Sequence, residues 1–325
     1  MTIEEFVAKT TDFLRKNEAF FFLLDFNLKQ PFICPLNQTQ KENIYFEIEG
    51  LKNHTFPQEN IKRFIFKHKP IDYQVYKKSF DIVYKNLLYG NTYLLNLTFP
   101  IPINTNLSLK QIFSNIKAKY KLLFKDDFVI FSPESFIKIK GNNIYTYPMK
   151  GTIDASIENA QEIIINDKKE LYEHYTVVDL LRNDLAIMAS NITVKRFRYT
   201  ELINTHKGDI IQVSSEIQGT LPQNWRVFFA EKLIQMLPAG SISGAPKKKT
   251  LEIIRNVEID KRGYYTGIFG IHLSGQIYSA VNIRFIEKQK QQFIFRSGGG
   301  ITIFSKAEKE YQELIQKVYV PLSIR

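Results

Sequence analysis

Two pairs of glutamates three residues apart are the first feature with chemical consequence. Glu170 and Glu173 lie in "KELYEHYTVVDLLRND", and Glu310 and Glu313 in "EKEYQELIQK". On a helix such pairs project from one face, where like charges repel. A cation held between the two helices would offset that repulsion, and all-oxygen donors point to Mg2+. Two solvated helix faces have the same spacing and are the more frequent arrangement. Lys317 follows Glu313 by four and shares its face.

Other stretches carry weaker signals. In "TYPMKGT", Lys150 stands between a Pro-Met pair and a Gly-Thr turn. It reads as a solvated turn residue, an anion contact or a nucleophile, and the stretch itself does not choose. In "PAGSISGAPKKK", small residues such as Ser241 and Gly244 let the backbone approach a ligand. Pro246 suits the first turn of the helix that follows, whose start attracts anions. The spacing is not that of a P-loop. In "RSGGGITI", Gly298, Gly299 and Gly300 weaken a strand pattern and imply either close backbone approach or a tight turn. Arg284, in the apolar stretch "AVNIRFIE", needs a partner such as a carboxylate.

These residues must be positioned by regular elements. "FFFLLDF" and "NIYFEIEG" read as strands, and Pro70 marks a boundary. Helical spacing through Val75, Phe80, Val83 and Leu87 stops at Gly90. "TYLLNLTFPI" reads as a strand, "LSLKQIFSNIKAKY" as a helix, and "FVIFSPESFIKIKGNNIYTYPMKGT" as three strands joined by turns. The helical tract from Ser156 to Ala189 breaks near Asn166 and Asp167. Strands around "ITVKRFRYTEL" and "DIIQVSSEIQGTL" precede the helix "WRVFFAEKLIQML" and the Gly-rich loop. A strand-rich end closes with a helix from Lys306 to about Tyr319. Strands in consecutive groups, with helices in separate blocks, predict an α+β fold with antiparallel sheets.

Composition sets the class. With 325 residues, 44% hydrophobic and 24% charged, the chain suits a folded globular protein of one large domain or two. Its only cysteine is Cys34, so no intrachain disulfide forms. The apolar run Ala19 to Leu24 is too short to span a bilayer, and the start lacks a signal-peptide charge pattern. No membrane association and a cytoplasmic location are expected. The net charge of +11 raises nucleic acid as a partner. The lysines are scattered, apart from Lys247, Lys248 and Lys249, and no nucleic-acid-binding signature accompanies them. No nucleic-acid partner is expected.

Taken in order, "GNTYLLNLT", "SPESF", "YPMKGT", "ELYEHYTVVDLLRND", "GSISGAPK", "KRGYYTGIFG", "NIRF", "SGGGI" and "EKEYQE" run from about Gly90 to Lys317. Together they resemble the chorismate-utilising enzymes, a family that includes component I of aminodeoxychorismate synthase and of anthranilate synthase. The resemblance implies two large, mostly antiparallel sheets packed together with helices on the outside, and one active site. It implies a single domain over 1–325, with a shortened N-terminal portion (1–70) and a catalytic core (71–325). Larger relatives carry a tryptophan-binding subdomain in the shortened portion.

The resemblance also implies roles. Glu170, Glu173, Glu310 and Glu313 fall where the family surrounds Mg2+, which bridges to the ring carboxylate of chorismate. Ser241, Gly244, Gly298 and Gly300 fall on substrate-contacting backbone. Tyr265, Arg284 and Lys317 match positions that hold the carboxylates, and Glu134 of "SPESF" matches the general acid/base. Anthranilate and salicylate synthases have alanine where Lys150 stands, whereas aminodeoxychorismate synthases carry lysine. The implied reaction is amination of chorismate at C4, for folate synthesis, with Lys150 as nucleophile. Ammonia would come from a separate glutamine amidotransferase subunit, since Cys34 lies in "FICPL" without the Gly-rich elbow such a nucleophile needs. Anthranilate or isochorismate synthesis, and a non-catalytic chorismate- or nucleic-acid-binding role, are the alternatives. Two departures stand out. Gln212 occupies a position where members often have histidine, and an arginine common after the "KGT" turn is missing.

Overall fold

The computed structural model describes residues 1–59, 61–203 and 208–322. The chain begins with helix α1 (Ile3–Arg15), strands β1 (Phe20–Leu24), β2 (Phe32–Pro35), β3 (Ile44–Ile48), β4 (Leu51–Lys52) and β5 (Phe66–His68), and helix α2 (Tyr73–Leu88). Strand β6 (Leu94–Thr105) and helix α3 (Leu109–Asn115) follow. Five short strands come next: β7 (Tyr120–Phe124), β8 (Phe128–Ser132), β9 (Ser135–Lys140), β10 (Asn143–Thr146) and β11 (Met149–Asp154). Helices α4 (Ala160–Asn166) and α5 (Lys168–Ala186) lead to the long strands β12 (Ser190–Ile203) and β13 (Ile210–Thr220). Helix α6 (Trp225–Met236), the single turn α7 (Gly240–Ser243), β14 (Gly244–Ala245) and α8 (Lys247–Val257) precede four strands. These are β15 (Ile268–Leu273), β16 (Gln276–Val281), β17 (Phe285–Gln289) and β18 (Gln292–Ile301), with α9 (Ala307–Gln316) last.

The chain forms two compact units, each threaded by three segments. One comprises 1–39, 133–239 and 267–281, so residues 1–70 are shared between the two. Its sheet runs β11-β13-β10-β9-β16-β15-β1-β2, with β12 added to β13. The other unit has its own sheet, β14-β6-β18-β17-β8-β7-β3-β4, with β5 added to β6. Each of these pairings is antiparallel, and the expected α+β architecture of two large antiparallel sheets with helices is what the structure shows.

Local sequence explains the framework. The all-apolar β1, and β8, apolar up to its final Ser132, are buried throughout, as strands covered on both faces must be. Helix α1, which the periodicity reading passed over, is signalled by a capping box in which Thr2 and Glu5 satisfy each other's backbone N–H. In α2 the buried face runs through Tyr76, Phe80, Val83 and Leu87, while Val75 is exposed. The predicted stripe started one residue early, because Tyr76 also fits the helical period. Gly90 closes that helix with φ +71°, a conformation glycine adopts without strain. The expected break near Asn166 is real: Asp167 caps α5 by accepting from the Glu170 N–H. Among the described residues no helix is long and apolar enough to cross a membrane.

The second unit is pinned by a buried ion pair. Arg262 donates from Nε and Nη2 to Glu258 at 2.9 and 2.7 Å. Its remaining N–H groups reach the carbonyls of Ile242 and Asn96 and the hydroxyl of Thr266, so the whole fork is satisfied. Glu258 also accepts from the N–H and hydroxyl of Thr98. Removing one member would strand the other's charge, so Arg262→Leu is expected to cost about 3–5 kcal/mol in chemical denaturation. A loss below about 1 kcal/mol would show that the pair contributes no more than a surface one.

Candidate active site

In the first unit the site starts from a fault in strand register. Met149 pairs with Ser214 and Thr152 with Gln212, so β11 carries one residue more than β13 over the same span. The extra residue forms a bulge at Lys150 and Gly151, which re-aims side chains that a regular strand would alternate. Gly151 has φ +96°, and a Cβ on it would come within 3.1 Å of Glu170 Oε2. Both facts restrict this position to glycine.

One face of α5 closes on these two residues. Glu170, Glu173 and His174 stand at i, i+3 and i+4. Glu173 Oε2 lies 2.7 Å from Lys150 Nζ, and Lys169 Nζ is 3.5 Å from the other oxygen. His174, with no exposed surface, places Nδ1 3.4 Å from the Lys150 carbonyl and Nε2 2.7 Å from Ser215 Oγ. Burial pushes the His174 imidazole down to about 4, although the Lys150 carbonyl opposes that shift. The ring is therefore neutral at pH 7. Glu170 Oε2 is buried without a hydrogen-bond partner. Lys150 is thus ion-paired rather than a solvated turn residue. Gln212 is buried opposite Thr152 and donates to Ser214 Oγ at 3.4 Å. Glu134 is half-buried between β8 and β9, its carbonyl accepting from the Val281 N–H.

The second unit assembles the other predicted residues. Lys317 Nζ is 2.6 Å from Glu313 Oε1 and 3.2 Å from the Gly298 carbonyl. Glu310 is buried on the same helix. The three glycines lie in β18, paired with Thr98, Leu97 and Asn96 of β6. A Cβ on Gly298 would meet Thr98 Cγ2 at 2.7 Å and the Leu97 carbonyl at 2.8 Å, so close approach there is to the neighbouring strand. Gly299 instead faces Glu310 Oε2 and Lys317 Nζ, each 3.8 Å from its missing Cβ. The family resemblance gave a role only to its two neighbours.

Arg284 (φ +52°) donates to the Lys317 carbonyl at 2.5 Å and lies over the Tyr319 ring, so these contacts are to a carbonyl and a ring rather than to a carboxylate. Tyr265 is buried against Phe285, and burial raises its phenol to about 12. The Gly-rich loop is more ordered than predicted. Ser241 sits in α7, Gly244 pairs with Leu95, and Pro246 caps α8 rather than entering its first turn. A Cβ on Gly244, whose φ is +123°, would fall 1.9 Å from the Leu94 carbonyl.

Glutamate oxygens are hard donors of the kind Mg2+ takes. The buried oxygen of Glu170, which no hydrogen bond satisfies, is a donor of that kind. Among the described residues, no set of three or more His, Cys, Asp or Glu side chains is gathered as a preformed metal cluster.

Known proteins share this fold. The menaquinone-specific isochorismate synthase from Escherichia coli superposes with a TM-score of 0.71 at 15% identity, covering 97% of this chain and 80% of that one. The profile of the chorismate binding enzymes matches residues 15–323, and the chain belongs to that family. An uncharacterized PabA-like protein of Pasteurella multocida is 52% identical over 323 residues, 99% of this chain and all of that one. Another, of Haemophilus influenzae, is 49% identical over 321 residues, 99% and 98% of the two chains.

Burial holds the Glu170 carboxyl above its ordinary value, with the Lys150 ammonium pulling the other way. A carboxyl raised on folding opposes folding once the pH is high enough to ionise it, and has no effect below its unfolded value. Glu170→Gln is therefore expected to melt higher than the parent at pH 7 in EDTA, and to lose that advantage as the pH falls to about 4. A lower melting temperature at pH 7 would contradict the assignment of Glu170 as a carboxyl whose ionisation burial opposes.

Proposed function

We propose that this chain is component I of an aminodeoxychorismate synthase, converting chorismate and ammonia to 4-amino-4-deoxychorismate for folate synthesis. The observation that carries the reading is the bulge that presents the Lys150 amine to the acidic face of α5. The ammonia source would be a separate glutamine amidotransferase subunit, since Cys34 lies in "FICPL" without the Gly-rich elbow such a nucleophile needs. Glu170, Glu173, Glu310 and Glu313 would hold Mg2+, which when bound would neutralise them and anchor the ring carboxylate of chorismate.

Paired with Glu173, Lys150 is held as an ammonium and cannot attack, so the pair must part and the ammonium must give its proton to free ammonia or hydroxide in solution before chemistry begins. The amine then forms a C–N bond at ring C2, the diene shifts, and the C4–O bond breaks. Glu134 protonates the departing hydroxyl, which leaves as water. Ammonia bonds to C4, the diene shifts back, and the C2–N bond breaks to release Lys150. The product ammonium returns the proton to Glu134. Lys317, Arg284 and Tyr265 orient the substrate carboxylates, with Ser241, Gly244, Gly298 and Gly300 supplying backbone contacts.

With chorismate, Mg2+ and ammonium at alkaline pH, chromatography should show 4-amino-4-deoxychorismate, and none should form in EDTA or with glutamine as sole nitrogen donor. Arginine keeps the charge of Lys150 but is effectively never a free amine. Lys150→Arg should therefore fail as badly as Lys150→Ala at low ammonium. Anthranilate or isochorismate as the product, or near-normal amination by Lys150→Arg, would overturn the reading.

A further inference from the structure

His174 lies outside the predicted site residues, yet it is the third member of the α5 face that grips the bulge. Its ring spans from the Lys150 carbonyl to Ser215 Oγ on β13. The hydrogen-bond directions follow from what each partner is able to do. A carbonyl only accepts, so Nδ1 must carry the proton that meets it. Nε2 meets the Ser215 hydroxyl, a group able to donate or accept, at 2.7 Å. That hydroxyl is oriented in turn, because its oxygen accepts the Arg198 N–H at 2.9 Å. A relay thus runs from the β12 backbone through Ser215 and His174 to the backbone of Lys150. The same two-residue stretch is held at its side chain by Glu173 and is closed in over Gly151 by Glu170.

We propose that His174 is the positioning residue for Lys150: its Nδ1–H fixes the carbonyl at the bulge and thereby the direction in which the Lys150 side chain leaves the strand. The inference rests on the reading of Lys150 as the reacting amine. A bulge is a local slip in pairing and has no ladder to hold its geometry, so an external donor is the means of fixing it. Misplacement by about 1 Å is enough to lower the rate of a chemical step about 100-fold without touching substrate affinity. A packing role is the competing explanation, since the ring is fully buried and meets Phe197 edge-on at 5.7 Å.

Two substitutions separate these roles. Asparagine places its amide nitrogen near the position of Nδ1 and leaves a void, whereas glutamine fills more of the space but carries its nitrogen near the position of Nε2. Positioning predicts that His174→Asn retains most of kcat. His174→Gln and His174→Phe should lose about 100-fold, with KM for chorismate changed by no more than about twofold. Hydrogen–deuterium exchange over 149–154 should quicken in His174→Gln and not in His174→Asn. Ser215→Ala, which keeps the ring but removes the hydroxyl that holds its Nε2, should lower kcat in the same direction. Glutamine or phenylalanine performing better than asparagine, or an unaltered kcat in Ser215→Ala, would overturn the proposal. Full activity in Lys150→Ala would instead remove the reading on which it rests, leaving the exchange data to show whether His174 holds the bulge.

Discussion

A regular strand offers a side chain only two directions, and the site depends on escaping that restriction. The extra residue at Lys150–Gly151 breaks the alternation of β11 against Gln212 and Ser214 of β13. The neighbouring features are fitted to that slip. Gly151 supplies the left-handed φ, and its lack of a Cβ admits Glu170. Helix α5 brings its acidic face and His174 onto the same two residues.

Buried charge is handled differently in the framework and at the site. Arg262 and Glu258 are satisfied by each other and by Ile242, Asn96, Thr98 and Thr266 around them, and Arg296 is held between Asp260 and Glu287. Such pairs fix structure and leave nothing for a ligand. Glu170 departs from that pattern, with a buried oxygen lacking any donor, and burial works against its ionisation. Glu173 and Glu313 each rest on a lysine that the proposed chemistry also uses, so their pairs must be exchangeable. An incompletely satisfied carboxylate is a cost to the fold that ligand chemistry explains.

How much of this was legible in the sequence varied with the range of the interactions involved. Helix α5 and its start at Asp167 were readable because period and cap are local, as was the stop of α2 at Gly90. The two acidic pairs and Lys150 stood out by residue type. Their partners did not, because the contact of Lys150 with Glu173 spans distant sequence. The bulge was hidden altogether, since register is a property of two strands and "TYPMKGT" contains only one of them. His174 gave a signal that passed unnoticed: it stands four residues after Glu170 on the acidic face. The turn α7 and strand β14 were missed because small residues in "PAGSISGAP" describe a loop equally well, and the order of β14 comes from pairing with β6.

The central claim is that the amine of Lys150 bonds covalently to the substrate ring. Intact-protein and peptide mass spectrometry of the pure chain with chorismate and Mg2+, without ammonia, tests it most directly. A mass increase equal to chorismate less water, on the peptide containing Lys150 and discharged by added ammonium, is the predicted result. Failure to trap any adduct under conditions where the enzyme aminates chorismate on addition of ammonium would contradict the claim and leave Lys150 as a binding group beside direct attack by ammonia.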